Sequence, residues 1–361
     1  MSIPTHSFYE RLLDGRYRFR VDNLLINDFN TCDRYFMFRH MGQAVAGDAT
    51  AKPVVWAAKT LNFKVALGQW WSSVMERLYD EMKNSGKLPS EHHVWAFATQ
   101  AWTDHEMEQF LQSDPDTFHK FEGLDGARAM SLEYWDAFAR QHFQSWRIIG
   151  TELGFGWSND AQGRPEMYLG EDDKVVVYYG GKPDLVIVDM ATNMLMPVDF
   201  KTKDSIDGNT SLLYKPHPQT AGYIWAVRNM LQKMLESGTE LFKEVAPLPP
   251  TKCIVMVCAR FRPTDKPRSG VRKPRFMPVF PAYSEAEIEE WRVSVIEKCR
   301  RLRDAIERDI WIPRESACHL FYHGCMFRRV CSTPPNMREQ VLKADFIRVQ
   351  PWQPYTVSED N

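Results

Sequence analysis

β-Branched and aromatic residues cluster at Val175–Tyr179, Leu185–Asp189 and Met194–Phe200, and the breaks between them carry Gly, Asp and Asn. That pattern predicts three short strands of one small sheet with acids at its strand edges. Side chains two apart on a strand share a face, so Asp199 and Lys201 project together while Phe200 turns away. A hairpin through Ala191-Thr192-Asn193 brings Asp184 beside Asp199. The segment from Gln219 towards Glu236 then takes a helical period, which puts Gln219 and Tyr223 on one face.

Upstream, apolar positions recur at helical spacing from Asp22 to Phe36 around the single Cys32. Helical periodicity also runs near Val54–Asn84, His92–Gln112 and Ala127–Trp146, with Gly, Pro and Asp at the breaks. Trp70, Trp71, Trp102, Trp135 and Trp146 lie in this region, and helices bury such residues routinely, so they are expected in a core rather than as base-stacking platforms. Ile148–Phe155 reads as a strand leading into the sheet and carries Glu152. Downstream, Thr251–Phe261 reads as a buried strand whose Cys253 and Cys258 lie five apart and face opposite sides, which makes them core residues, like Cys299. Ser284-Glu285-Ala286-Glu287 has the form of a capping box and opens a long helix through Ile306.

The chain has 361 residues, so one elaborated core and two closely joined units are both open. Hydrophobic residues make up 44% and there are 12 Trp, enough for a sizeable core. A net charge of −2 excludes a uniformly basic protein, so nucleic-acid binding needs a local patch. Arg260, Arg262, Lys266, Arg268, Arg272, Lys273 and Arg275 crowd one Pro- and Gly-containing loop in which Asp265 is the only acid. They suit phosphate-backbone contact, or simply a solvated loop. No apolar run approaches the roughly 20 residues of a membrane span. Met1–Tyr17 is polar where a signal peptide needs an apolar stretch, so a cytoplasmic protein is expected. No fixed-period repeat and no phosphate-cradling G-x-x-x-x-G-K-[ST] motif is present, so any unwinding motor is a separate chain.

Two kinds of metal chemistry are written in the side chains. Asp184 and Asp199 on adjacent strands repel each other unless a cation lies between them, and Mg²⁺ or Mn²⁺ prefers such oxygen ligands. The competing reading makes Asp184 a turn acid and Asp199-Phe200-Lys201 a solvated strand face. Cys318, Cys325 and Cys331 fall within fourteen residues of one another, a spacing that generally holds a soft metal. With Cys32 they make four thiolates, which suit a [4Fe–4S] cluster or a structural Zn²⁺. His319 and His323 are further ligands in the zinc alternative.

The succession G-x-x-D at Gly181–Asp184, D-x-K at Asp199–Lys201 and Q-x-x-x-Y at Gln219–Tyr223 resembles the core of the PD-(D/E)XK nucleases, specifically their RecB-like branch. The distant Cys32 followed by a C-terminal trio is similar to the cluster-containing members, which include the CRISPR-associated exonucleases and the AddB nuclease domain. The resemblance implies an α/β fold: a small mixed central sheet flanked by helices, a restriction-endonuclease-like core. It makes Asp184 and Asp199 metal ligands, Lys201 the catalytic lysine, Gln219 and Tyr223 an accessory pair, and Glu152 an acid within reach of the site. It makes Cys32, Cys318, Cys325 and Cys331 cluster ligands. Gly68-Gln69-Trp70-Trp71-Ser72 resembles a helical segment in which the family places a metal-binding His, and this chain has Ser72 there. The expected organisation is an N-terminal segment at 1–45, an all-helical insertion at 46–147, the nuclease core at 148–310 and a cysteine region with tail at 311–361. The implied activity is exonucleolytic hydrolysis of single-stranded DNA, with a recombination or helicase partner. A free-standing phage or mobile-element nuclease acting in the host cytoplasm suits a core of this size. The rival reading is a non-catalytic nucleic-acid-binding or assembly protein on the same fold.

Overall fold

The computed structural model describes residues 8–41, 55–59, 62–156, 167–236, 247–262, 274–319 and 324–349. The chain divides into two compact units, each assembled from separated segments. One comprises Leu61–Gly154 and Lys182–Ile288, and the other Met1–Thr60, Phe155–Gly181 and Glu289–Asn361. Residues 61–147 of the stretch expected as an insertion at 46–147 share a unit with the site-bearing strands.

The first unit is built on a five-stranded mixed sheet in the order Phe276–Val279, Ile254–Ala259, Met194–Lys203, Leu185–Asp189, Trp146–Thr151. The expected hairpin is present, pairing Leu185 with Val198 and Asp189 with Met194, and its turn closes with Asn193 at φ 51°. Asn tolerates that left-handed conformation better than most residues. Met194–Lys203 then pairs in parallel with Ile254–Ala259, whose six residues are all buried.

The period of two divides the sheet's side chains between two cores. Leu185, Ile187, Met196, Val198 and Phe200 pack with the aromatic helices Phe63–Ser85 and Glu91–Asp104 and with residues up to Ala139. Val186, Val188 and Leu195 turn the other way, onto Val227 and Leu231 of the helix Pro218–Glu236. Trp70, Trp71 and Trp102 are buried in the first core, as expected. Each such side chain removes about 150–250 Å² from water, on the order of 4–6 kcal/mol of transfer free energy.

Phe63–Ser85 starts at Asn62, whose side chain accepts from the Lys64 amide at 2.8 Å, and stops at Gly86 with φ 63°. Its apolar stripe (Trp70, Trp71, Val74, Met75, Leu78) faces the core. Ser72, Ser73 and Glu76 therefore fall on a half-exposed flank. The capping box at Ser284 is also present, with the Glu287 carboxylate accepting from the Ser284 amide at 2.7 Å.

The second unit carries a four-stranded sheet in the order Tyr9–Arg11, Tyr17–Val21, Val175–Tyr179, Tyr168–Glu171. Val175–Tyr179 is thus the strand expected of it, but it lies in this sheet, paired in parallel with Tyr17–Val21, and not beside the hairpin. Helical periodicity near Val54 also misleads, because Val55–Ala58 is a strand paired with Phe346–Val349. Cys32 interrupts the helical run between Asn23–Thr31 and Asp33–Phe36 with extended backbone, φ −167° and ψ 124°.

Candidate functional site

Antiparallel pairing of Leu185 with Val198 sets Asp184 opposite Asp199, so the hairpin register alone makes the two acids neighbours. Asp184 accepts the Phe200 amide at 2.6 Å, which locks its carboxylate against the strand. Lys201 donates to Asp199 Oδ1 at 2.9 Å, the contact that the shared face predicts. Asp199 is only 2% exposed, and its second oxygen, Oδ2, has no hydrogen-bond partner. A buried acceptor left bare is costly unless something positive completes it.

The electrostatics agree. Burial, then the Asp199 charge, pushes the Asp184 pKa well above the usual carboxylate range. Burial also disfavours the Lys201 ammonium, but Asp199 and Asp184 outweigh it and raise its pKa, so the lysine stays charged. Two carboxylates that resist joint ionisation, one with an orphaned oxygen, form a donor set that fits a hard divalent cation. Among the described residues, no three His, Cys, Asp or Glu side chains converge as a formed metal cage.

Asp184 and Lys201 open into a cleft of about 740 Å³, whose wall includes Ser72, Glu76, Glu152 and Lys182. Ser72 thus stands on the cleft wall at the place where the resemblance expects a His, and Glu76 follows one turn along the same helix. Burial and then the neighbouring Glu152 charge raise the Glu76 pKa. Glu152 sits in left-handed backbone at φ 49°, a strained conformation for a non-glycine residue. Its amide donates to the Asp184 carbonyl at 3.0 Å, and its carboxylate pairs with the Lys182 ammonium.

Gln219 and Tyr223 share their helix face as expected, with Gln219 Nε2 donating to the Tyr223 hydroxyl at 2.9 Å. That hydroxyl donates to the Lys182 carbonyl at 3.0 Å. The pair therefore holds the backbone of Lys182-Pro183-Asp184, and acts on Asp184 through the turn that carries it.

The basic loop resolves into residues of different kinds. Arg260 lines the cleft and is held by Thr202 Oγ1 at 3.1 Å and by Asp204. Arg262 and Arg275 converge on Glu133, at 2.7 and 2.6 Å, and Arg275 is buried in that contact. The opposing acid comes from far upstream, where the loop's own composition gives no sign of it. Lys266, Arg268, Arg272 and Lys273 lie outside the described residues.

In the other unit, Cys32, Cys318, Cys325 and Cys331 line one small cavity of about 10 Å³. None is in a disulfide. The Cys32 sulfur accepts from the Arg314 amide at 3.4 Å. Burial raises the Cys325 pKa, and Cys318, Cys331 and Cys32 add to the rise. His323 lies outside the described residues. Cys253, Cys258 and Cys299 are fully buried core residues, as expected.

Lys182 and His105, whose Nε2 lies 2.8 Å from Ser73 Oγ in the same cleft, are the site residues that sequence reasoning missed. For Lys182 the only local signal was its place in Gly181-Lys182-Pro183-Asp184, since its partner Glu152 comes from another strand.

Two opposed carboxylates and a lysine on a mixed sheet flanked by helices are the core of a nuclease with a restriction-endonuclease-like fold. The chain belongs to the PD-(D/E)XK nuclease superfamily, whose family model matches residues 25–332. No curated protein matches it.

Proposed function

We propose that the protein is a metal-dependent DNA nuclease of the RecB-like branch, acting as an exonuclease on single strands, with Asp184 and Asp199 holding Mg²⁺ or Mn²⁺. The observation that carries the reading is the orphaned Oδ2 of buried Asp199 beside Asp184 and charged Lys201. Held by Asp184 and Asp199, such an ion would supply Lewis acidity towards water and positive charge towards the scissile phosphate. Lys201 keeps its proton and stabilises charge developing on the phosphate oxygens. Gln219 and Tyr223 hold the turn that presents Asp184, and Arg260 on the cleft wall offers a cation to the strand's backbone. Among the described residues no helix is long and apolar enough to cross a membrane, and the reading places the enzyme in the cytoplasm, the host's if it is phage-encoded.

Cys32, Cys318, Cys325 and Cys331 would carry a [4Fe–4S] cluster. The reading rests on four thiols that line one cavity, with an amide donating to the Cys32 sulfur; among the described residues the sulfurs do not converge as a formed cage, so the cluster would draw them together on binding. Anaerobic purification tests this part: brown protein with about four irons, bleached in Cys325→Ser, supports the cluster. Colourless protein with one zinc replaces the cluster by a zinc staple.

For the activity, end-labelled single- and double-stranded DNA is incubated with Mg²⁺ or Mn²⁺ and the products are sized. Progressive shortening of single strands, abolished by chelation and by Asp199→Ala, is expected. Ser72 on the cleft wall favours one second reading, a binding protein with weakened chemistry. DNA binding without cleavage under every divalent ion would establish that reading instead.

A further inference from the structure

The side chain of Lys182 has no role in the proposed cleavage, yet the residue lines the same cleft as Asp184 and Lys201. Its backbone is held, because the Tyr223 hydroxyl bonds its carbonyl and Pro183 follows it, so its freedom lies in the side chain. Its charge is met by Glu152. Glu152 is itself stapled to the site, since its amide donates to the Asp184 carbonyl and its left-handed backbone turns the carboxylate into the cleft. Lys182 is thus tied to Asp184 along the chain and Glu152 by a backbone hydrogen bond, so the ion pair lies at the Asp184 turn.

The pair differs from its neighbour. Lys201 is tied to a buried carboxylate, whereas Lys182 is half exposed and its contact with Glu152 is touched by solvent. Ion pairs of that kind shift equilibria by no more than about fivefold, so incoming ligands can break them. A DNA phosphate competes for Lys182, and a divalent cation competes for Glu152. Whichever arrives first opens the pair and leaves the other half ready for its own ligand.

We propose that Lys182 is a strand-binding residue and that its ion pair with Glu152 is a latch coupling phosphate binding to cation binding: phosphate takes Lys182, and Glu152 is released towards the cation beside Asp184. The proposal rests on the nuclease reading. By linkage the coupling is reciprocal, so cation must tighten DNA binding by the same factor by which DNA tightens cation binding.

The test uses the full chain carrying Lys201→Met to suppress turnover, a short single-stranded oligodeoxynucleotide and Mn²⁺. Mn²⁺ affinity is read from the free-ion resonance and DNA affinity from fluorescence anisotropy. The factor by which DNA tightens Mn²⁺ binding should fall by about fivefold in Lys182→Gln and in Glu152→Gln, and Lys182→Arg should retain it. Lys182→Gln should also bind Mn²⁺ more tightly when DNA is absent, because Glu152 is already free. Direct attraction between cation and phosphate persists in every variant and cancels in the comparison. An unchanged coupling factor in both Gln variants, with DNA still bound, overturns the latch and leaves the nuclease reading standing. No DNA binding even at low salt removes both.

Discussion

Replacing Asp199 by Asn separates what this carboxylate does to the cation-free fold from what it does for a cation. In the cation-free protein the change removes the charge that raises the Asp184 pKa and the bare Oδ2, but it also takes from Lys201 its partner at 2.9 Å. Breaking a buried pair costs roughly 3–5 kcal/mol when the remaining charge is stranded. Lys201 is not stranded, because Asp184 is then free to ionise beside it. The two effects oppose each other, and the cation-free variant should differ from wild type by no more than about 2 kcal/mol.

The cation-dependent part has no such cancellation. At a Mn²⁺ concentration of about 100 times Kd, binding stabilises the wild type by about 2.7 kcal/mol. The site-bearing unit has about 200 residues, for which that gain raises Tm by about 5–11 °C. Scanning calorimetry in chelator and then in Mn²⁺ should show this shift in the wild type and a shift below about 1 °C in Asp199→Asn. Equal shifts in the two proteins would refute the assignment of Asp199 as a ligand.

Two more perturbations test the surroundings. Tyr223→Phe removes the donor to the Lys182 carbonyl and the acceptor for Gln219; at about 1 kcal/mol for each bond, kcat/KM should drop about tenfold to thirtyfold and Tm by about 4–8 °C, and an unchanged kcat/KM would show that the turn holds itself. Burial pushes the His142 pKa down to about 3, with the ring stacked on Trp146 and Nδ1 2.7 Å from the Tyr79 hydroxyl. Above its unfolded pKa of about 6.5 the ring is neutral in both states. Below that value the unfolded chain takes up a proton that the fold refuses, so stability falls with acid until about pH 3. Between pH 7 and 5 the wild type should lose about 2 kcal/mol more than His142→Phe in urea unfolding, whereas parallel losses would assign the acid sensitivity to other groups.

The site was legible wherever local period and register decide geometry. The period of two put Asp199 and Lys201 on one face, the hairpin put Asp184 opposite Asp199, and four-residue spacing joined Gln219 to Tyr223. What escaped depends on partners distant in sequence. Val175–Tyr179 and Val55–Ala58 find their sheet partners 158 and 294 residues away, measured at the pairs Tyr17↔Val175 and Val55↔Val349, and nothing local signals such pairings. The loop arginines looked unopposed because Glu133 lies 129 residues from Arg262 and 142 from Arg275. The Lys182–Glu152 pair joins the entrance of Leu185–Asp189 to the exit of its antiparallel neighbour Trp146–Thr151, which meet only through the sheet. The C-terminal cysteines stand out by spacing and Cys32 by the resemblance, and the fold brings all four around one cavity.

The most direct measurement is single-turnover cleavage of a 5′-labelled single strand by the wild type, Asp184→Asn and Lys201→Met, each with and without Mn²⁺. Wild-type cleavage that requires the ion, falls to background in Asp184→Asn and slows by about 10²–10³ in Lys201→Met, with DNA binding retained, is the predicted result. Cleavage that persists in Asp184→Asn, or that proceeds without any divalent ion, would contradict the account.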